Sequence, residues 1–216
     1  MGFATISKLV MILILPFLIF LLALNFIGFD GVFYQQKFFQ YSVEKNISSA
    51  ALLHSGVIDF ITGKANELPS KFSEREKQHL WDVRGIIKIS TIILYILIIL
   101  FVLLLIVSML TLKVNNLITN FVGKILVFGG FLTLILAAAL FLLINLDFPL
   151  TFESFHRLFF EKGTYTFDPA KEMLVNLYPE QLFMDLGIRI SKFTIIGSAV
   201  IILIGALLLF RPKKQK

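Results

Sequence analysis

Four apolar blocks, each close to the roughly 20 residues a helix needs to cross a bilayer, constrain this chain more than any other feature. They run from about Ile6 to Phe29, Ile86 to Leu112, Ile125 to Leu146 and Ser191 to Phe210. Inside a bilayer no water satisfies backbone N–H and C=O groups, so such blocks are read as helices. The expected fold is therefore an all-α integral membrane protein with four transmembrane helices. Composition agrees, since 57% of the 216 residues are hydrophobic, against roughly 45–50% for soluble domains. The first block is longer than the apolar core of a secretory signal, and Ala23-Leu24-Asn25 is a poor cleavage site. It is expected to be retained as a helix.

Charge predicts the orientation. The chain start, the stretch 113–124 and the tail 211–216 hold Lys8, Lys113, Lys124, Arg211, Lys213, Lys214 and Lys216. They hold no acidic residue. All fourteen acidic residues fall in 30–85 and 147–190, and the other thirteen basic residues lie in or bordering these two segments. The purely basic side is the cytoplasmic one by the positive-inside rule. Both termini, the loop 113–124 and the tail 211–216 are thus expected inside. The segments 30–85 and 147–190 are expected outside, as an extracellular cap of short helices. The net charge of +6 is explained by this topology, and no nucleic-acid partner is needed to account for it.

Local signals fill in the cap. Ser73 with Glu76 three residues on fits a capping box, which starts a helix at Ser73. Asp168 followed by Pro169 reads as a helix start, and Tyr178-Pro179-Glu180 as a break and restart. In the apolar blocks, Gly129-Gly130 and Ala137 to Ala139 are small enough for close helix packing.

The second block enters the membrane near Ile86 and the third leaves it near Leu146. A short inner loop makes these two helices neighbours. His79 lies just before one outer end and His156 just after the other, so topology and spacing predict that the two histidines share a patch of the outer interface. On a helix Phe72, Glu76, His79, Leu80 and Val83 share one face. Asp82, three residues from His79, is placed to fix its tautomer. Phe152, Phe155, His156 and Phe159 share a face if their stretch is helical. Simpler readings exist for each residue. Aromatic residues gather at membrane interfaces regardless of function. Arg75, Glu76 and Lys77 read as a solvated helix face, and His54 as a surface residue.

Other chemistries find little support. There is no cysteine, so disulfides, thiolate nucleophiles and Cys-ligated metals are excluded. No HExxH, GxSxG or phosphate-loop motif occurs. The apolar blocks carry almost no charge, unlike most ion pumps and proton-coupled transporters.

SEREKQHLWDV (Ser73 to Val83) and FHRLFF (Phe155 to Phe160) resemble the two histidine signatures of the bacterial lipoprotein intramolecular transacylase family. FDPAKEMLVNLYPEQLF (Phe167 to Phe183) follows them as that family's pattern implies. Four helices with the polar segments outside are similar to the family's plan along the whole chain. The resemblance implies a multi-pass enzyme of the bacterial plasma membrane, acting at the extracellular face. Its substrate would be a diacylated lipoprotein, within membrane lipid and with no obligatory protein partner. An acyl chain would pass from the sn-2 oxygen of the S-diacylglyceryl group to the α-amino group of the N-terminal cysteine, giving the lyso-form, with no cofactor and no metal. Carried onto this chain, it implies His79 and His156 as the acid–base pair with Asp82 orienting His79. Phe155, Phe159, Phe160 and Tyr165 would confine the substrate, and Arg84 or Arg157 would place the carbonyl or anchor the interface. Two other readings remain open from the residues: a histidine/carboxylate metal hydrolase of lipids, and a non-catalytic subunit docking a partner through its cap.

Overall fold

The computed structural model describes residues 2–210, all of whose regular structure is helical. The basic tail read as cytoplasmic, residues 211–216, lies outside the described residues. Four helices are long and apolar enough to cross a membrane: Phe3–Ile27, Glu74–Leu112, Asn116–Leu146 and Glu180–Leu209. In chain order the helices are α1 (Phe3–Ile27), α2 (Gly31–Gln40), α3 (Val43–Asn46), α4 (Ala50–Ile61), α5 (Glu74–Leu112), α6 (Asn115–Leu146), α7 (Phe148–Phe159), α8 (Met173–Leu177) and α9 (Glu180–Leu209).

The chain divides into two compact units. The first takes residues up to Asn25, Ile92–Leu142 and the chain from Ile190 onward. Its contacts are those of membrane helices. Met11, Phe121 and Ile125 pack with Phe101, Leu104 and Leu105, while Ile14, Leu18 and Leu94 form a second cluster. Large apolar side chains such as Phe17, Leu103 and Ile135 remain outward-facing, as expected for a surface solvated by acyl chains. Small residues allow the backbones to approach. A Cβ on Gly123 would lie 3.0 Å from the Gly205 carbonyl oxygen, and one on Gly205 would lie 2.9 Å from that of Gly123. Gly129 and Gly130 instead make room for the side chains of Leu15 and Ile202. Buried Ser7 and Ser108 share a 2.8 Å hydrogen bond between hydroxyls, so neither is left unpaired in an apolar interior.

The second unit comprises Phe26–Thr91 and Leu143–Arg189. Its core is aromatic and aliphatic: Phe38, Phe60, Phe72, Leu80, Leu177 and Leu182 are all buried. At 1.5 Å per residue the 39 residues of α5 extend about 58 Å, well past the ~30 Å of bilayer hydrocarbon. The charged turns from Glu74 to Arg84 therefore precede the apolar span rather than belonging to it.

The structure changes several local readings. Lys113 and Val114 alone separate α5 from α6, with Lys113 in the left-handed region at φ 53°, so the connection is tighter than a loop over 113–124. Asp168-Pro169 opens a single turn, not a helix. Lys171 and Glu172 donate their N–H groups to the Asp168 carbonyl, and the Glu172 carboxylate accepts the Asp168 N–H at 2.7 Å. That closure uses up the turn, and α8 starts only at Met173.

Candidate active site

Ser73 and Glu76 form the reciprocal cap that starts α5. The Glu76 N–H donates to Ser73 Oγ at 3.3 Å, and the Ser73 N–H to Glu76 Oε2 at 2.7 Å. Glu76 is not a solvated residue. It is 1% exposed, and its second oxygen accepts the Leu174 N–H at 2.5 Å. One carboxylate thus satisfies two backbone donors, one at the start of α5 and one in α8. His79 stands three residues further along, on the same helix face.

Arg75 has a different task. Its Nη2 donates to the carbonyls of Gly163 and Thr166 at 2.7 and 2.6 Å, and its guanidinium lies 5.6 Å from the Phe167 ring centre. It lashes down the loop after α7, which carries Phe160, Tyr165 and Phe167.

His156 comes from α7, which begins where Asp147 Oδ1 accepts the Leu150 N–H at 3.0 Å. The His156 Nδ1 lies 2.8 Å from the Phe152 carbonyl oxygen. A carbonyl only accepts, so Nδ1 carries the proton and Nε2 keeps its lone pair.

The two imidazoles face each other, with centres 6.2 Å apart and planes inclined by 21°. Phe160 touches both rings, 4.7 Å from His79 and 5.4 Å from His156. Phe167 packs edge-on against His79 at 5.4 Å. Phe152 and Tyr165 lie 4.2 and 5.0 Å from His156. Both histidines line a cavity of about 330 Å³, together with Phe155, Phe160, Tyr165, Phe167 and aliphatic side chains including Val83, Ile86 and Ile87. His79 Nδ1 is buried without a hydrogen-bond partner, so Nε2 is the nitrogen this ring offers to the cavity.

Burial, and secondarily the neighbouring His156, lowers the His79 pKa to about 4. Burial also lowers that of His156, opposed by its bond to the Phe152 carbonyl. Apolar walls disfavour the imidazolium form, so both rings are neutral at pH 7.

Of the residues singled out in sequence, the cavity gathers His79, His156, Phe155, Phe160 and Tyr165. The others are not part of its lining. Asp82 Oδ1 accepts from Gln78 Nε2 at 3.4 Å, a partner one turn back on the same helix. Arg84 donates to the Ala65 carbonyl at 3.0 Å and stacks over Phe60 and Trp81. Arg157 pairs with Glu153 at 2.6 Å and also interacts with the hydroxyl of Tyr165, a residue of the cavity wall. Phe159 packs on Phe155 with ring centres 4.9 Å apart and is 48% exposed.

The cavity also contains residues that sequence reasoning missed. His54, read as a surface residue, is 6% exposed and lines the cavity, with Nδ1 2.9 Å from the Tyr178 hydroxyl. These two partners are 124 positions apart, and no local spacing pairs them. Tyr34, Phe167, Tyr178, Glu180 and Phe183 also line it, as does Phe152, which the sequence placed on the face of His156. Phe167, Tyr178, Glu180 and Phe183 lie inside FDPAKEMLVNLYPEQLF, the one signal that pointed at them. Among the described residues, no three His, Asp or Glu side chains converge as a metal-ligand set.

The chain matches the family model described as lipoprotein intramolecular transacylase Lit over residues 9–183. Among solved structures it is similar to the membrane integral lipoprotein intramolecular transacylase Lit from Bacillus cereus. The TM-score is 0.83 at 24% identity, over 95% of each chain. Two structures of the same Bacillus cereus protein, each carrying a single histidine substitution, give TM-scores of 0.77 at 23% identity. They cover 95% of this chain and 92% and 93% of theirs. No curated protein matches the chain.

Proposed function

The chain belongs to the lipoprotein intramolecular transacylase family, and is thereby an acyltransferase; from this we propose that His79 and His156 together move the sn-2 acyl chain of a diacylated lipoprotein onto the α-amine of its N-terminal cysteine. The observation that carries the reading is the pair of neutral imidazoles, 6.2 Å apart in one aromatic cavity.

The tautomers divide the work. The free lone pair of His156 is on Nε2, which makes it the base. As the amine nitrogen attacks the ester carbonyl carbon, a proton passes from the amine to His156 Nε2. His79, in the tautomer protonated at Nε2, donates that N–H as a hydrogen bond to the developing oxyanion. A neutral ring suits this task, because it polarises a carbonyl without surrendering a proton. Collapse of the tetrahedral species breaks the bond to the sn-2 oxygen, and His156 returns the same proton to that oxygen. The new amide and the freed hydroxyl leave both histidines as they began. Nucleophile and electrophile belong to one molecule, so much of the acceleration comes from holding them in contact. Well-oriented intramolecular reactions reach effective molarities of roughly 10⁵–10⁸ M. The rings of Phe160, Phe155 and Tyr165 supply that confinement and keep out water that would hydrolyse the ester. With Asp82, Arg84 and Arg157 outside the cavity lining, catalysis does not call on them, and Arg84 serves as an interface anchor beside Trp81.

The reaction is assigned to the outer face of the bacterial plasma membrane, with both termini and the 113–124 region in the cytoplasm. Segregation of every acidic residue into 30–85 and 147–190 supports this placement.

Mass spectrometry of lipoprotein N-termini from an expressing host tests the mechanism. The wild-type chain should produce the lyso-form. His79→Ala and His156→Ala, inserted at normal levels, should leave the diacylated form. Full conversion by either variant would remove the two-histidine mechanism.

A further inference from the structure

The cavity holds three histidines, and the acyl transfer uses two. His54 has its own surroundings. Its ring lies 4.1 Å from Tyr34, 5.5 Å from Phe38 and 5.8 Å from Tyr178. None of these rings contacts His79 or His156, whose aromatic neighbours are Phe152, Phe155, Phe160, Tyr165 and Phe167. The cavity therefore has a second polar locus, set among Val57, Ile58 and Ile61 of the same helix.

The tautomer of His54 follows from its partner. Among the described residues, the Tyr178 hydroxyl has His54 Nδ1 as its one hydrogen-bond partner. Burial holds the Tyr178 phenol well above its ordinary pKa, so it stays protonated, and with Nδ1 as its one partner the buried O–H is satisfied only by donating there. The His54 proton is then on Nε2, and with Nδ1 occupied, Nε2–H is what the ring presents to the cavity it lines. Burial lowers the His54 pKa to about 4, which keeps this donor uncharged. An uncharged N–H in an apolar wall matches a ligand that is apolar and carries acceptors only. The lipid part of a diacylglyceryl group fits that description, because its polar atoms are ester oxygens. The reacting ester is held at His79 and His156.

We propose that His54 Nε2–H binds the carbonyl oxygen of the ester that is not transferred, the sn-1 ester, and so sets the register in which the lipid lies in the cavity. This rests on the acyl-transfer reading above. His54 is a positioning residue for the substrate, held in the required tautomer by Tyr178.

The test uses the purified full chain and two lipopeptides, each with an sn-2 ester. One has an ester at sn-1, the other an ether, which lacks the carbonyl. One hydrogen bond of ordinary strength predicts that wild type favours the ester by roughly 3- to 10-fold in kcat/KM, chiefly through KM. His54→Leu should treat the two substrates alike, while His54→Gln, which keeps an N–H in reach, should retain part of the preference. Tyr178→Phe keeps the shape but frees the tautomer, and should shrink the preference even if His54→Leu fails to fold. Equal rates with wild type, or an undiminished preference in His54→Leu or Tyr178→Phe, would overturn the assignment. Failure of the acyl-transfer reading looks different: wild type would then yield no N-acylated product from either lipopeptide, and both proposals would fall.

Discussion

At the scale of single residues, the site depends on keeping imidazoles uncharged. A folded-state pKa of about 4 for His79 and for His54, against roughly 6.5 for an unperturbed histidine, means that the unfolded chain binds protons the fold refuses. Stability from these groups is fully present above about pH 6.5 and is lost as pH falls towards 4. A melting temperature roughly 5–10 °C lower at pH 4.5 than at pH 7.5 is expected in detergent, and the drop should shrink in His54→Leu. Activity should follow a different group. With both cavity histidines already neutral at pH 7, the proposed mechanism assigns the acidic limb of the rate to the substrate α-amine, which must be unprotonated to attack. The profile of kcat/KM should therefore rise with an apparent pKa of roughly 8. A limb centred at 6.5 that moves when His156 is changed, and stays when the substrate amine is made less basic, would contradict this.

At the scale of elements, the first turns of α5 combine three tasks within seven residues: the Ser73–Glu76 cap, the Arg75 clamp and His79. Arg75→Ala removes the bonds to Gly163 and Thr166 from a side chain that is largely exposed. The loop bearing Phe160, Tyr165 and Phe167 would lose its tether while the core stays intact. A fall of roughly 10-fold in kcat with a nearly unchanged melting temperature is expected, and Arg75→Lys should restore only part, since its ammonium can donate to the carbonyls but lacks the planar guanidinium that lies over Phe167. Wild-type turnover in Arg75→Ala would show that the loop holds itself. The same elements show what a sequence can and cannot display. The Ser73–Glu76 cap is legible because both partners are local, and the nearness of His79 to His156 because two long helices joined by a short turn bring their far ends together. The burial of Glu76 was hidden, because its second partner is a backbone N–H 98 positions away. His54 was misjudged for the same reason, its partner Tyr178 lying in another polar segment. Asp82 was expected to reach His79 on spacing alone, but its carboxylate turns to Gln78.

At the scale of the whole molecule, the four long apolar helices were legible from length and composition. Orientation rests on charge and can be read directly, because the chain has no cysteine and any introduced thiol stands alone. Lys162→Cys, exposed in the second polar segment, should react with a membrane-impermeant maleimide in intact cells. Val114→Cys, between α5 and α6, should react only after the membrane is opened. The reverse pattern would invert the topology and put the cavity on the cytoplasmic side. The proposed intramolecular transfer needs no nucleophile from the protein. In the proposed mechanism the protein contributes an aromatic cavity, a base and a hydrogen-bond donor, and the substrate contributes both reacting groups.

The most direct measurement is the single-turnover rate constant for conversion of a diacylated lipopeptide by purified wild type, His79→Ala, His156→Ala and the double variant. Groups acting as one unit give strongly non-additive losses. Each single substitution should cost at least about 10³-fold, and the double variant should be scarcely slower than either. Losses that multiply in the double variant, or a single variant within about 10-fold of wild type, would contradict the two-histidine account.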